Sequence, residues 1–378
     1  MRKKLVIISH TEHYKDSENQ ILGLGSTVNE INFLSDYWQE IVHVACLHDS
    51  KPNKNSIHYS NSNIKFVAIP PFGGINIYHK IFIFFIIPSI LRQVIKSIKG
   101  ATEVQLRLPT SIGLFLLPLF SIFISRKFTL WIKYAGDWNE LNPPISNRMQ
   151  RWWLKKNFAN CKVTINGFWN NQFKHCLSFE NPSLTIKDIE KGKIVAENKN
   201  FITPFTFVFV GRLELEKGVD EIINALKTIP IKYIDKLHFI GDGEKLEYYK
   251  KATFFLKDKV TFHGFLDKFH VHEILKQSHF FLLPSKSEGF PKVIAEACCY
   301  GAIPIVSNVG SITHYVNDFN GFIWDKNSNK NFSQIIQKAI HLNPISLKEK
   351  SIAGIELAKK FTFVNYIQKL EQILKPSN

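Results

Sequence analysis

At 378 residues, 45% hydrophobic and 21% charged, the chain is too long for one ordinary hydrophobic core, which stops growing near about 250 residues, and too apolar to stay disordered. Two domains are the expectation. The formal charge of +16, from 48 Lys+Arg against 32 Asp+Glu, favours an anionic partner, whether nucleic acid, a phosphorylated small molecule or an anionic membrane surface.

In chain order, Leu5-Val6-Ile7-Ile8 gives way to polar Ser9-His10-Thr11-Glu12, a run shorter than the roughly 7 to 15 apolar residues of a secretory leader. A cytoplasmic location is the expectation. Strands are predicted at Leu5–Ser9, Ile41–Ala45, Lys65–Ala68, Glu103–Arg107, Phe128–Lys133 and Val163–Ile165, where β-branched and aromatic runs end in polar or small residues. The apolar stretch Ile112 to Ile124 is broken by Pro118 and Ser121 and falls short of the ~20 residues of a bilayer-spanning helix. Phe179 to Asn200 is polar without a clear period and reads as a linker. The second half is more regular, with strands at Phe205–Val210, Leu237–Ile240, Val260–His263, His279–Leu283, Ile303–Val306 and Gly321–Trp324. Helices are predicted between them, at Val219–Lys227, Gly243–Leu256, Val271–Gln277 and Pro291–Tyr300, with a helical Pro344–Leu374 at the end. This alternation predicts two doubly wound α/β domains with a cleft between them. The five cysteines (Cys46, Cys161, Cys176, Cys298, Cys299) lack metal-site spacing, which predicts a reducing compartment and no metal cage.

Two strand ends carry candidate chemistry, since ligands of open parallel sheets bind beyond the carboxyl ends of strands. After Phe205–Val210 comes Gly211-Arg212-Leu213-Glu214-Leu215-Glu216-Lys217-Gly218. Its two cations, bracketed by glycines that permit close backbone approach, suit a diphosphate, although a solvated turn carries the same residue types. After His279–Leu283 the chain runs from Pro284 to Glu296, and Pro291 suits the first position of a helix whose N–H groups, near Gly289 and Phe290, present the positive end of its dipole. Glu288 before that helix and Glu296 inside it suit sugar and ribose hydroxyls. The alternatives are a helix-start stabiliser and a partnered residue among buried neighbours.

Together, Gly211-Arg212-Leu213, Glu216-Lys217-Gly218, Gly241-Asp242-Gly243, Phe262-His263-Gly264-Phe265, Leu283-Pro284-Ser285, the Glu288 and Glu296 pair, Gly301 to Val306, Val309-Gly310 and Asn320-Gly321 resemble the C-terminal domain of the retaining GT-B glycosyltransferases of family 4 (glycosyl transferases group 1). The resemblance covers about residues 205–325. It implies an acceptor-binding Rossmann-like domain over 1–180, a linker at 181–200, a nucleotide-sugar-binding domain over 201–345 and a helical segment at 346–378 that caps or crosses the junction. By the same resemblance Arg212 and Lys217 bind the donor diphosphate and stabilise its departure, and Glu288 touches the donor sugar. Gly289, Phe290 and Pro291 supply backbone contacts, Gly264 and Phe265 belong to the donor site, and Glu296 holds the ribose. Fixed cations and helix N–H groups stabilise a departing diphosphate without a metal, and the chain has no Asp-x-Asp. No metal and no cofactor beyond the nucleotide-sugar substrate are expected.

The first half resembles the family less. Leu22-Gly23-Leu24-Gly25-Ser26-Thr27 matches its glycine loop roughly, a plain tight turn being the alternative reading of Gly23, Gly25, Ser26 and Thr27. Where the family often places a histidine, this chain has Arg107, which is permanently protonated and no general base but suits a phosphate or carboxylate. His10 and Asp137 are the other acceptor-side candidates, and His314 stands where the family commonly has an acid. Ile81 to Ile87 followed by Arg92, Lys96 and Lys99, and Arg148 to Lys156, interleave cations with aromatics. Such segments suit peripheral contact with an anionic membrane; the alternative is ordinary core packing of Ile81 to Ile87 and a solvated face on the second segment. The leading expectation is a retaining transfer of a sugar from a nucleotide-sugar to a glycan or lipid-linked glycan, in cell-surface polysaccharide or glycoconjugate synthesis. An epimerase or phosphorylase on the same fold, and a catalytically inactive binding module, are the alternatives. A basic nucleic-acid-binding protein is a further one, but the chain lacks a basic recognition helix or RNA-binding aromatic motif, so no nucleic-acid partner is expected.

Overall fold

In the computed structural model, which describes residues 2–72, 77–124 and 127–374, the chain divides into two compact units. Unit 1 comprises Met1–Phe179 with Leu370–Asn378, and unit 2 comprises Glu180–Lys369.

Unit 1 carries strands β1 (Arg2–Lys15), β2 (Ile21–Leu24), β3 (Trp38–Leu47), β4 (Ser56–His58), β5 (Ile64–Ile69), β6 (Glu103–Leu108), β7 (Thr129–Tyr134), β8 (Lys162–Ile165) and β9 (Cys176–Ser178). Seven of them form a parallel sheet in the order β5-β3-β1-β6-β7-β8-β9, and β2 and β4 add an antiparallel flap at the far end of β1. Leu5, Val6, Ile7 and Ile8 are all buried, as a strand covered on both faces requires. Past Ile8 the register with β3 shifts, and His13–Lys15 turn to pair with β2, so β1 runs well beyond the expected Leu5–Ser9. The helices are α1 (Gly25–Leu34), α2 (Ile77–Ser97), α3 (Gly113–Pro118) and α4 (Ile145–Lys155). Ile83, Ile87, Ile90 and Val94 of α2 recur every three or four residues and are buried, the apolar stripe of a helix lying on a sheet.

Unit 2 has six parallel strands, β10 (Phe205–Val210), β11 (Ile234–Ile240), β12 (Val260–Gly264), β13 (Phe280–Leu283), β14 (Ile303–Ser307) and β15 (Phe322–Trp324), ordered β12-β11-β10-β13-β14-β15. Its helices are α5 (Ile186–Asn198), α6 (Val219–Lys227), α7 (Leu246–Ala252), α8 (Lys268–Gln277), α9 (Lys292–Cys299), α10 (Phe332–Ile340), α11 (Pro344–Lys360) and α12 (Phe363–Leu374), the last running on past the unit boundary. The α/β class with two Rossmann-like domains thus matches the expectation.

Three boundaries differ from it. Residues 181–200 are no linker but carry α5, opened by a capping box between Thr185 and Asp188. Ile189, Gly192 and Ala196 form a buried stripe too sparse to stand out among Lys and Glu. Of the segment 346–378, α11 packs against α9 and α5 inside unit 2, so the second unit extends past residue 345, while the residues from Leu370 on group with unit 1. The expected Gly243–Leu256 helix is cut to Leu246–Ala252 and followed by a 3-10 turn.

Both sheets reverse their winding once. In unit 1 the chain builds β1, β3 and β5 outward on one side and β6 to β9 on the other, so the switch lies between β1 and β6. In unit 2 it lies between β10 and β13. Crevices beyond the carboxyl ends of strands at such switches are where open α/β sheets bind ligands.

Candidate functional sites at the two switch points

In unit 2 the two suspected loops meet at the switch. The chain leaves β10 through Gly211 and Arg212, makes a 3-10 turn over Leu215–Lys217, and enters α6 through Gly218 at φ +74. The loop after β13 runs alongside, with the Lys286 N–H donating to the Glu216 carbonyl at 2.8 Å. The Lys217 ammonium lies 2.6 Å from Oε1 of Glu288, with the two side chains 21% and 11% exposed. One cation and one carboxylate, named separately from sequence, therefore form a single ion pair. Arg212 is 67% exposed and reaches Glu214 at 3.0 Å.

Glycines make this close stacking possible. A Cβ on Gly218 would stand 2.2 Å from the Pro284 carbonyl oxygen, and one on Gly310 1.8 Å from that of Glu288. Both residues have positive φ. Ser311 donates from its N–H and its hydroxyl to the Gly289 carbonyl, at 3.0 and 2.8 Å. The backbone around Glu288 is thus gripped from both flanking loops.

Phe290 stacks on Phe361 at 4.4 Å and meets Tyr315 edge-on at 4.7 Å, so its side chain belongs to the core. Pro291 caps α9 with extended ψ and is not the first helical residue as expected. Glu296 sits in the second turn of α9, half-buried; burial pushes its carboxyl above the ordinary value, opposed by the Lys268 and Lys292 charges. Gly264 ends β12 at φ +67 and its carbonyl accepts the Gly241 N–H at 2.8 Å, while Phe265 beyond it is exposed. They stand two strands away from the switch. His314 ends a 3-10 turn, and partial burial lowers its imidazole.

In unit 1 the expected glycine loop is not a loop. Gly23 lies inside β2, where a Cβ would stand 2.4 Å from the His13 ring, and Gly25 opens α1 with its N–H on the Asn55 carbonyl at 2.9 Å. Ser26 and Thr27 complete the first turn of α1. His10 is exposed just past the buried part of β1. Asp137 caps Asn139 from a partly buried loop, and burial raises its carboxyl.

Arg107, on the far side of the switch, is held by residues the sequence reading did not single out. It donates to Gln105 Oε1 at 2.7 Å and to Glu30 Oε1 at 3.0 Å, while Lys133 donates to both Glu30 oxygens at 2.7 and 2.8 Å. Arg107 and Lys133 are register partners on β6 and β7. A signal was available: both predicted strands end on a cation. Among the described residues no three His, Cys, Asp or Glu side chains converge as a metal cage would require.

Residues 190–368 match the family model described as glycosyl transferases group 1. Over 170 residues the chain is 28% identical to an uncharacterized glycosyltransferase of Methanocaldococcus jannaschii, covering 44% of this chain and 46% of that one. Over 199 residues it is 29% identical to an Escherichia coli UDP-Gal:alpha-D-GlcNAc-diphosphoundecaprenol alpha-1,3-galactosyltransferase, covering 51% and 50%. The chain thus spans about half the length of the curated relatives it matches. The fold extends further: the structure of Anabaena Alr3699/HepE in complex with UDP and glucose aligns over 99% of this chain and all of that one, with a TM-score of 0.68 at 14% identity.

Proposed function

We propose that this chain is a retaining, metal-independent glycosyltransferase of the family 4 kind, moving a sugar from a nucleotide-sugar to a hydroxyl of a glycan or lipid-linked acceptor. The observation that carries the reading is the Lys217–Glu288 pair at the unit 2 switch point, inside the region that matches the family model. The named relatives support it: one is a UDP-galactose-dependent transferase onto a lipid diphosphate-linked sugar, and one binds UDP and glucose.

Arg212 and Lys217 offer fixed positive charge to a departing diphosphate, and Glu288 offers an acceptor to a donor-sugar hydroxyl. Because Lys217 is already on Glu288, an arriving diphosphate competes for the ammonium and frees the carboxylate for the sugar. Glu296 takes the ribose. Unit 1 takes the acceptor, and the protein works in the cytoplasm at a membrane face. Supporting that placement, residues 50–178 hold 17 Lys and Arg against 3 Asp and Glu, +14 of the chain's +16. Ile122, Phe123, Trp152 and Phe158 lie exposed in the same unit, and Trp153, donating to the Ser121 hydroxyl at 3.0 Å, joins the two segments that carry them. Bulky apolar side chains among cations suit a headgroup boundary.

The test is to incubate the protein with a panel of nucleotide-sugars and lipid-diphosphate or glycan acceptors and to separate the products. Acceptor-dependent release of nucleoside diphosphate that Lys217→Ala reduces at least tenfold is expected. Interconversion of the nucleotide-sugar without an acceptor would replace this reading with an epimerase.

A further inference from the structure

The buried cluster at the unit 1 switch point is charged unevenly. Glu30 is 2% exposed and has both carboxylate oxygens on the Lys133 ammonium, itself 7% exposed. Arg107, 11% exposed, shares one of the same oxygens, so within this trio two cations face one carboxylate and a positive charge is in surplus. A surplus charge taken out of water is unfavourable unless something of opposite sign meets it.

The hydrogen-bond directions show what is missing. Gln105 is fully buried, and its carbonyl end must face Arg107 because Nε–H there needs an acceptor at 2.7 Å. Its amide Nε2 is left buried without a partner. Arg107 uses Nε on Gln105 and Nη2 on Glu30, and Nη1 has no partner among the described residues. Two donors have no protein partner among the described residues, Gln105 Nε2 in the interior and Arg107 Nη1 at the solvent-reached end of its side chain. Only an acceptor satisfies them, and only an anionic one offsets the surplus charge.

We infer that unit 1 carries an oxyanion subsite of its own, built on Arg107 and Gln105 and backed by Lys133, that takes a phosphoryl or carboxylate group of a substrate other than the sugar donor. The planar guanidinium suits either group, whose paired oxygens match its fork. Arg107 and Lys133 stand one residue short of the carboxyl ends of β6 and β7, with Gln105 two residues deeper in β6, beside the β1/β6 reversal near which a doubly wound sheet places its ligand. The subsite rests on the reading of the chain as a transferase with a second substrate, and assigns that substrate a negative charge near its reacting end.

The experiment is calorimetric titration of the full chain with inorganic pyrophosphate, with glucuronate and with neutral glucose, at constant ionic strength. It is run in the Arg212→Ala/Lys217→Ala background so that unit 2 contributes no phosphate affinity. Pyrophosphate or glucuronate is expected to bind that background and glucose not, the tighter anion naming the group. Adding Arg107→Gln should weaken the anion at least tenfold, with Arg107→Lys intermediate. A structural role predicts a lower melting temperature for Arg107→Gln. A ligand site carrying surplus charge predicts an equal or higher one, because Glu30 keeps Lys133. Gln105→Glu, nearly isosteric, supplies the missing negative charge in place of a ligand and should abolish anion binding without loss of stability. Anion affinity unchanged by Arg107→Gln and Gln105→Glu, or lost already in the background variant, would overturn the subsite. Because the readout is binding, its failure is separate from a failure of sugar transfer, which Lys217→Ala reports.

Discussion

At Glu288 a single substitution separates two roles that one ion pair combines. Glu288→Gln removes the partner that holds Lys217 at 2.6 Å and leaves the ammonium free for phosphate. Turnover should fall at least tenfold while nucleoside diphosphate binds more tightly, because one charge-assisted contact amounts to about 1.5 to 3 kcal/mol. Steady-state kinetics with a nucleotide titration check both halves, and weaker nucleotide binding would show that Lys217 does not serve the diphosphate. Glu296→Gln should chiefly weaken nucleotide binding, the same titration being the measure. Buried imidazoles set the acid limit of the fold. Burial pushes His13, His272 and His279 down to about 4, against an ordinary value of about 6.5 in the unfolded chain. Between those values the unfolded state binds more protons, so the contribution of these three groups to stability falls as pH drops from 6.5 to 4 and is steady above. Melting temperatures over that range should decline, more shallowly for His279→Asn; a flat profile would mean that these rings are not buried neutral.

Among elements, the loops after β10 and β13 hold their geometry through glycines, and α5 holds its place through a cap and a close approach. Gly310→Ala would force a Cβ to within 1.8 Å of the Glu288 carbonyl oxygen at a positive φ. It should lower the melting temperature, at a cost of about 1–3 kcal/mol for the strained backbone, and displace Glu288 enough to reduce transfer. Gly192→Ala meets the Cys299 carbonyl at 2.1 Å and should also destabilise, but with donor affinity per folded molecule preserved. Thermal melts paired with nucleotide titration distinguish the two. The linker expectation at 181–200 failed for the reason that makes Gly192 informative. Its buried stripe uses Gly192 and Ala196 because α9 approaches closely there, and small residues leave little hydropathy signal. Arg151 shows the converse error. Its basic, aromatic surroundings read as an interfacial cation, yet its guanidinium is buried, donating to the carbonyls of Trp138 at 2.8 Å and Glu140 at 2.9 Å.

For the molecule as a whole, the membrane reading consequently shifts from Arg151 to the exposed rings. Phe123→Glu with Trp152→Glu should abolish flotation with anionic vesicles while leaving the melting temperature within a few degrees, since Phe123 is 74% and Trp152 52% exposed. Flotation unchanged by the pair would place any contact elsewhere. Of the Ile81–Ile87 run, the side chains of Ile81, Phe82 and Phe84 lie outside those described, while Ile83 and Ile87 are core and Phe85 is exposed. No helix among the described residues is long and apolar enough to cross a membrane.

Most of the parallel strands, the two doubly wound sheets and the loops after β10 and β13 were legible in the chain itself, while β2, β4, β9 and α5 were not. Apolar runs bounded by glycine, proline and polar residues are local signals, and local signals dictate elements. Tertiary structure alone decided which charges meet. Lys217 and Glu288 lie on different loops, and Arg107, Lys133 and Glu30 on two strands and a helix, each brought together only where its sheet reverses direction. The side chain of Phe290 became core, and that of Arg151 a clasp for a loop, because packing is settled by what folds back from far along the chain. Sequence order records which residues are available to a site; the register and winding of the sheets record which of them face one another.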